Sequence, residues 1–420
     1  MPKSRTIFRL LLTTAIVSFV ATRMVVAEEK VQAPTLPPGV IIDQSPDFKT
    51  IHIGSPSIEI LPDGSYVATH DFFGSGNDDL ATQVFESKDK GATWKKIARI
   101  PYQRATYLFY AQDALWGIGW TPGEGFTDVS KDAQCRITIS KSNDGGHTWT
   151  TPLDSQTGSL IGGTKELSVF CDPAPVLIHN GRIWKEVEQV VEINPNSKPR
   201  NWMTQFCPMC MSAPLDGDLL DAATWTFSNA IPWVVRQNEH GWVEGNVLFT
   251  PDDKMIIQMR VDDAVNDGKA AQIHLSDDGK TATWDPETGF VEMPGGCKKF
   301  VVKYDTKTEK YWSLVNWIHP NDVDAPDKER TRNTLALVCS EDLKKWEIRT
   351  IVYRRDNLKI GFQYVDWRVE GDDLACVCRL AWDGAPNCHD ANYLTFFRLK
   401  NFRTLTRDDD APTWTNRESK

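Results

Sequence analysis

Two eight-residue stretches share the pattern Ser-x-Asp-x-Gly-x-Thr-Trp, and they constrain this chain more than anything else in it. Ser87-Lys88-Asp89-Lys90-Gly91-Ala92-Thr93-Trp94 returns as Ser142-Asn143-Asp144-Gly145-Gly146-His147-Thr148-Trp149. Each reads as a hairpin turn: Ser and Asp side chains bond the local backbone, Gly takes positive φ, and Thr-Trp leads into the next strand. Looser copies run from Ser276-Asp277-Asp278-Gly279 to Thr283-Trp284 and from Ser340 to Trp346, with an enlarged relic between Ser212 and Trp225. Successive Ser residues stand 55, 70, 64 and 64 positions apart. A regular period of strand–turn units marks a repeat architecture whose units stack around an axis. At about 60 residues per unit, the span from Thr50 to Arg403 holds about six blades. The expectation is an all-β, six-bladed β-propeller over 50–403, with a Pro-rich arm over 28–49 and a charged tail over 404–420. The terminal strands are expected to share a blade and close the ring.

The first residues read as a targeting segment. Lys3, Arg5 and Arg9 precede an apolar run from Leu10 to Val20, and Val25-Val26-Ala27 ends on a small residue suited to cleavage. This is the pattern of a signal peptide over 1–27, with an uncleaved anchor as the alternative. The chain carries a formal charge of −10, and the segment holds four basic and no acidic residues, so the exported remainder stands at −14. Such a field disfavours nucleic acid and anionic membranes as partners. The expected partner is a glycan or oligosaccharide, met by a secreted or periplasmic monomer. Nine cysteines in an exported chain suggest some disulfides, and Cys207-Pro208-Met209-Cys210 reads as a disulfide or buried thiols in preference to zinc. Neither metal nor cofactor is called for.

The Ser-x-Asp-x-Gly-x-Thr-Trp turns resemble the Asp-boxes of sialidases and related β-propellers, where they are structural and lie away from the substrate. Further resemblance to the sialidase family spans roughly residues 50–385. Trp242-Val243-Glu244-Gly245-Asn246-Val247, with Arg260 sixteen positions after the glutamate, resembles that family's base-partner glutamate, hairpin and substrate arginine. Glu244 opens one strand and Arg260 closes its hairpin partner, so both emerge at one end of a blade. An Arg fork matches a sugar carboxylate. Arg332, with Arg330 as a fallback, resembles a second member of the arginine set. Asp79 stands where the resemblance implies the catalytic acid, with Asp78 as its rival.

Departures from the family pattern bear equally on function. Gly54-Ser55-Pro56 occupies the place of the family's first-strand Arg-Ile-Pro, and no tyrosine occurs near Val377-Cys378-Arg379, where the nucleophile would fall. Tyr364, in Gly361-Phe362-Gln363-Tyr364-Val365-Asp366-Trp367, is a candidate substitute, although an aromatic on a strand is more often core. His70-Asp71 follows the first hairpin, where a strand delivers side chains to the central face, and His389-Asp390 precedes the last strand; His can serve as acid or base. The run His389-Asp390-Ala391-Asn392-Tyr393-Leu394-Thr395-Phe396 is similar to secreted bacterial sialidase-like proteins. The resemblance implies an exo-α-sialidase-like glycoside hydrolase that removes a terminal acidic sugar. Asp79, Glu244, Tyr364 and His389 are its expected catalytic set, and Arg260, Arg332, His70, Asp71 and Asp390 its substrate-binding set. Two other functions compete with it. One is a hydrolase or lyase on a uronate- or sulfate-bearing polysaccharide; the other is a propeller that binds glycans without turnover.

Overall fold

A computed structural model describes residues 31–32, 35–193, 202–234, 241–263 and 265–415; residues 1–27, read above as a signal peptide, lie outside them. Six sheets, antiparallel except at the edge of the fifth, follow one another along the chain as six blades. Blade one is built from Ser57–Ile60, Tyr66–His70, Thr82–Ser87 and Lys95–Ile100, in that order from the axis outward. Blade two repeats the scheme from Arg104–Ala111 to Ser159–Gly162, blade four from Trp242–Phe249 to Ala282–Thr283. In blade three the innermost position is shared by Ser168–Phe170 and Leu177–His179, which pair with successive parts of Arg182–Val190. The expected six-bladed all-β propeller is what forms.

Ring closure uses the N-terminal segment. Val40–Gln44 pairs antiparallel with Tyr393–Leu399 as the outer strand of blade six, which otherwise comes from Gly361–Glu370 and Asp373–Ala381. The C-terminal segment is ordered through Thr415. Thr413–Thr415 runs parallel to Trp346–Arg355 at the edge of blade five and pairs in turn with Val31–Gln32. Asp410 Oδ1 accepts the Ile351 N–H at 2.7 Å, which fixes this approach.

The repeated turns act as staples between blades. In the first, Ser87 Oγ bonds Asp89 and accepts from Gly91 N, while Asp89 accepts from both the N–H and the hydroxyl of Thr93. The turn at Ser142 makes the same four bonds. Gly91, at φ +88°, presses its backbone on Phe396 of blade six, and a Cβ there would meet the ring at 2.1 Å. Gly279 does the same against Trp184 of blade three. Left-handed backbone and an absent side chain are both required, which only glycine supplies without strain.

All nine cysteines are free and buried, so the expected disulfides do not form. Cys207 and Cys210 both lie on Phe206–Pro214, and an odd spacing on a strand sends side chains to opposite faces. Burial pushes the Cys207 thiol up to about 11. Among the described residues no helix is long and apolar enough to cross a membrane.

Candidate active site

Three bulges build the site. Ala105, Glu244 and Tyr364 lie on the innermost strands of blades two, four and six, and each takes positive φ, at +49°, +65° and +55°. The ladders slip at each of these places, between Ile118 and Trp120, between Val243 and Asn246, and between Gln363 and Asp366. An extra residue in one strand re-aims the side chain next to it, and non-glycine residues hold left-handed backbone only where the surroundings enforce it. The three bulges occur near the starts of their strands, at one end of the central channel. Tyr364, 120 positions from Glu244 in sequence, is thereby brought into contact with it.

At the centre Tyr364 Oη donates to Glu244 Oε1. Glu244 Oε2 accepts from Arg260 Nη1 at 2.6 Å, and the Glu244 backbone N–H donates to Glu188 Oε1 at 2.9 Å. Arg260 and Glu244 are each 2% exposed and Tyr364 8%. Burial first, then the neighbouring Glu244 charge, pushes the Tyr364 phenol above its ordinary pKa, so it stays protonated until a base takes its proton. Lys299 Nζ stands 5.7 Å from the Tyr364 ring centroid, and burial lowers its pKa to about 8. Arg379 lies over the same ring, 4.6 Å from its centroid. A phenol with a carboxylate on its hydroxyl and cations around its ring can lose that proton as it attacks a carbon.

Arg260 and Arg332 converge as the sequence predicts, but on another side chain of this protein. Arg260 Nη2 donates to Glu329 Oε1 at 2.8 Å, and Arg332 Nη2 donates to the same oxygen. Arg332 also bonds Gln363 through Nη1 and the Glu329 carbonyl through Nε.

Beside this network opens a cavity of about 190 Å³ whose wall includes Asp71, Trp120, Phe170, Asp172, Arg379 and His389. Trp120 and Phe170 meet edge to face, offering ring surface to the C–H faces of a sugar. The Asp172 carboxyl is pushed well above the usual carboxylate range, by burial first and then by the charges of Glu244 and Glu188, which favours its protonated form. His389 donates from Nδ1 to Asp390 Oδ1 at 2.8 Å, leaving Nε2 toward Arg379 Nη2 at 3.3 Å. Burial and the Arg379 charge lower the His389 pKa to about 3, so its ring is neutral. Asp71 Oδ2 accepts from Ala105 N at 3.1 Å and from Arg104 Nε, while its Oδ1 is buried without a hydrogen-bond partner.

Seven of the nine predicted site residues therefore gather here: Glu244, Tyr364, Arg260 and Arg332 in the buried network, Asp71 and His389 in the cavity wall, and Asp390 hydrogen-bonded to His389. Two do not. Asp79 is bonded by Arg99 and by Gln83 Nε2 at 3.0 Å, on the outer side of blade one and outside the cavity wall. His70 is fully buried, with Nε2 2.8 Å from Asp43 Oδ2 and its ring stacked on Phe85, and it ties blade six to blade one. Its position as the last residue of a strand that faces inward at both surfaces takes it into the blade rather than the cavity. Asp172, Lys299, Glu329 and Arg379 carry no motif and were not foreseen. The available signal for Glu329 was its place three residues before Arg332.

No protein-family model and no curated protein matches the sequence. Solved structures match over nearly the whole chain. An α-L-arabinanase of Penicillium chrysogenum, complexed with arabinobiose, aligns with a TM-score of 0.52 and 14% identity over 89% of this chain and 100% of its own. The intramolecular trans-sialidase of Ruminococcus gnavus, in complex with oseltamivir carboxylate, aligns at 0.55 and 12% identity over 86% and 97%. This chain has the sialidase-like propeller fold. A protein of unknown function from Dyadobacter fermentans aligns at 0.57 and 15% identity over 87% and 100%. At such identities the likeness carries architecture, and the chemistry of this sialidase-like propeller rests on its own side chains.

Proposed function

We propose that this propeller is an exported glycoside hydrolase that removes a terminal sugar by a retaining mechanism with a tyrosine nucleophile. The observation that carries the reading is the Tyr364–Glu244 contact, a phenol donating to a buried carboxylate that Arg260 holds in place. In the first step Tyr364 Oη attacks the anomeric carbon while its proton passes to Glu244. The bond to the leaving oxygen breaks as that oxygen takes the Asp172 proton. In the second step water, deprotonated by Asp172, attacks the same carbon and expels Tyr364, which recovers its proton from Glu244. Nucleophile and base within hydrogen-bond reach, with the base oriented by a third group, form the arrangement such chemistry needs. Similar propellers include an arabinanase and a trans-sialidase by name, so the scaffold is compatible with glycosidic substrates of both kinds.

The test is a panel of fluorogenic aryl glycosides, α-sialosides, uronides and α-L-arabinofuranosides together, followed by trapping with the matching 2-fluoro or 3-fluoro glycosyl fluoride. Release of the fluorophore and a sugar adduct on Tyr364 by peptide mass spectrometry are expected. An adduct on a carboxylate, or hydrolysis with inversion, would remove tyrosine from the mechanism. A second reading draws on the neutral His389 oriented by Asp390 at the cavity, which suits proton abstraction from a uronate. It requires unsaturated products absorbing near the ultraviolet edge, which a hydrolase does not make.

A further inference from the structure

We infer that Glu329 is a specificity-determining residue: its carboxylate fills the seat between Arg260 and Arg332 that an acidic sugar would use, so the sugar taken by this site is uncharged there. The inference rests on the sugar-binding reading above and specifies its substrate class.

Every nitrogen of the two guanidinium groups is engaged in a hydrogen bond. Both Nη2 atoms meet Glu329 Oε1, and Arg330 Nε reaches Oε2 at 3.0 Å. Arg260 Nη1 is on Glu244 and its Nε on the Cys297 carbonyl at 3.2 Å; Arg332 Nη1 is on Gln363 and its Nε on the Glu329 carbonyl at 3.0 Å. Glu329 is 4% exposed, and Arg332 1%. Two guanidinium groups converging on one carboxylate oxygen reproduce what a sugar carboxylate would receive, with the charge already supplied from within.

The segment that carries Glu329 is anchored rather than free to swing. Thr331 Oγ1 donates to the Asp327 carbonyl at 2.7 Å, Lys298 Nζ to the Lys328 carbonyl at 3.1 Å, and Asn333 Nδ2 to Asp322 Oδ2 at 3.1 Å. An acidic sugar would have to expel a buried carboxylate from two guanidinium groups and leave it without compensation.

A second, independent feature points the same way. Where the family resemblance calls for an arginine on the first strand, Gly54 stands, and a Cβ on it would meet Asp71 Oδ1 at 2.0 Å. No side chain fits at that position, and a carboxylate oxygen lacking a hydrogen-bond donor lies over it. A sugar carboxylate would meet negative charge at both places, whereas a sugar hydroxyl could donate to Asp71 Oδ1.

The experiment measures binding, so it does not depend on turnover. Wild type, Glu329→Gln and Glu329→Ala are titrated calorimetrically with glucuronic acid, N-acetylneuraminic acid and, as the neutral control, glucose. Expected are no carboxylate-dependent affinity in wild type and at least a tenfold gain for the two acids in Glu329→Gln, with glucose unchanged. For Glu329→Ala, acetate is expected to raise the thermal unfolding midpoint, an effect absent in wild type, which also serves if Glu329→Gln fails to fold. Wild type preferring either acid over glucose by tenfold or more overturns the inference. So does a Glu329→Gln protein that gains no acid affinity together with a Glu329→Ala protein indifferent to acetate. If the glycosidase reading alone is wrong, no glycoside is cleaved, yet the variants still gain carboxylate binding.

Discussion

Tyr364→Phe removes one oxygen and leaves the ring, so its two consequences can be separated in size. Structurally, Glu244 Oε1 loses a hydrogen bond that a buried carboxylate would otherwise accept, worth about 1.5–3 kcal/mol. Arg260 remains on Oε2 at 2.6 Å and keeps the carboxylate paired, so the cost falls toward the lower end. The ring contacts with Arg379 and Lys299 are untouched. Catalytically, the nucleophile is gone while Asp172 and the cavity persist, so a drop in kcat of about 10³-fold or more is expected, about 4 kcal/mol of transition-state stabilisation. The assay pairs kcat on whichever fluorogenic glycoside is cleaved with equilibrium unfolding in urea. A merely structural hydroxyl predicts the reverse proportion, with measurable destabilisation and turnover within about tenfold of wild type. That outcome, found in a folded variant, would refute the nucleophile assignment and make Tyr364 a core residue with a polar handle.

Two further outcomes follow from the same network. Asp172→Asn is expected to slow hydrolysis of glycosides with poor leaving groups by about 10²–10⁴-fold and to spare activated nitrophenyl glycosides, because only the former need a proton on the leaving oxygen; equal losses on both classes would contradict the acid role. Stability is expected to fall as pH rises from about 4.5 to about 8. Burial holds the Glu186 carboxyl near 8 in the folded protein, against an ordinary value near 4.5, so across that window the folded state binds more protons than the unfolded one and the slope is negative. Thermal midpoints across that pH range should decline, and Glu186→Gln should flatten the decline; a flat or rising profile in the wild type would refute the raised Glu186 carboxyl.

The scaffold was legible because each blade repeats local chemistry that sequence displays. Ser, Asp, Gly and Trp at fixed offsets encode a turn whose bonds all fall within eight residues, and the blade count follows from the spacing. Glu244 with Arg260 was legible for a related reason, since one hairpin brings both to the same blade end. The Tyr364–Glu244 contact was not, because it joins two blades and depends on bulges at residues with no turn signature, a glutamate and a tyrosine in left-handed backbone. Asp79 failed in the opposite sense. Its position along the chain suits an acid, but Arg99 and Gln83 on neighbouring strands satisfy it away from the cavity.

The same distinction governs how the arginines are read. Sequence identifies Arg260 and Arg332 as a pair able to recognise a carboxylate, and the geometry agrees, since both reach one carboxylate oxygen. What sequence position alone leaves open is whose carboxylate it is. Glu329 lies 69 residues after Arg260 and three before Arg332, and only the fold shows that it fills the fork. Asp71 lies over Gly54, and Glu329 already pairs Arg260 and Arg332, the two arginines that outline a site for acidic sugars. Charge complementarity therefore has to be argued from the side chains left unpaired after folding, and these include the Asp71 oxygen, the Lys299 ammonium and the Arg379 Nε rather than Arg260 and Arg332.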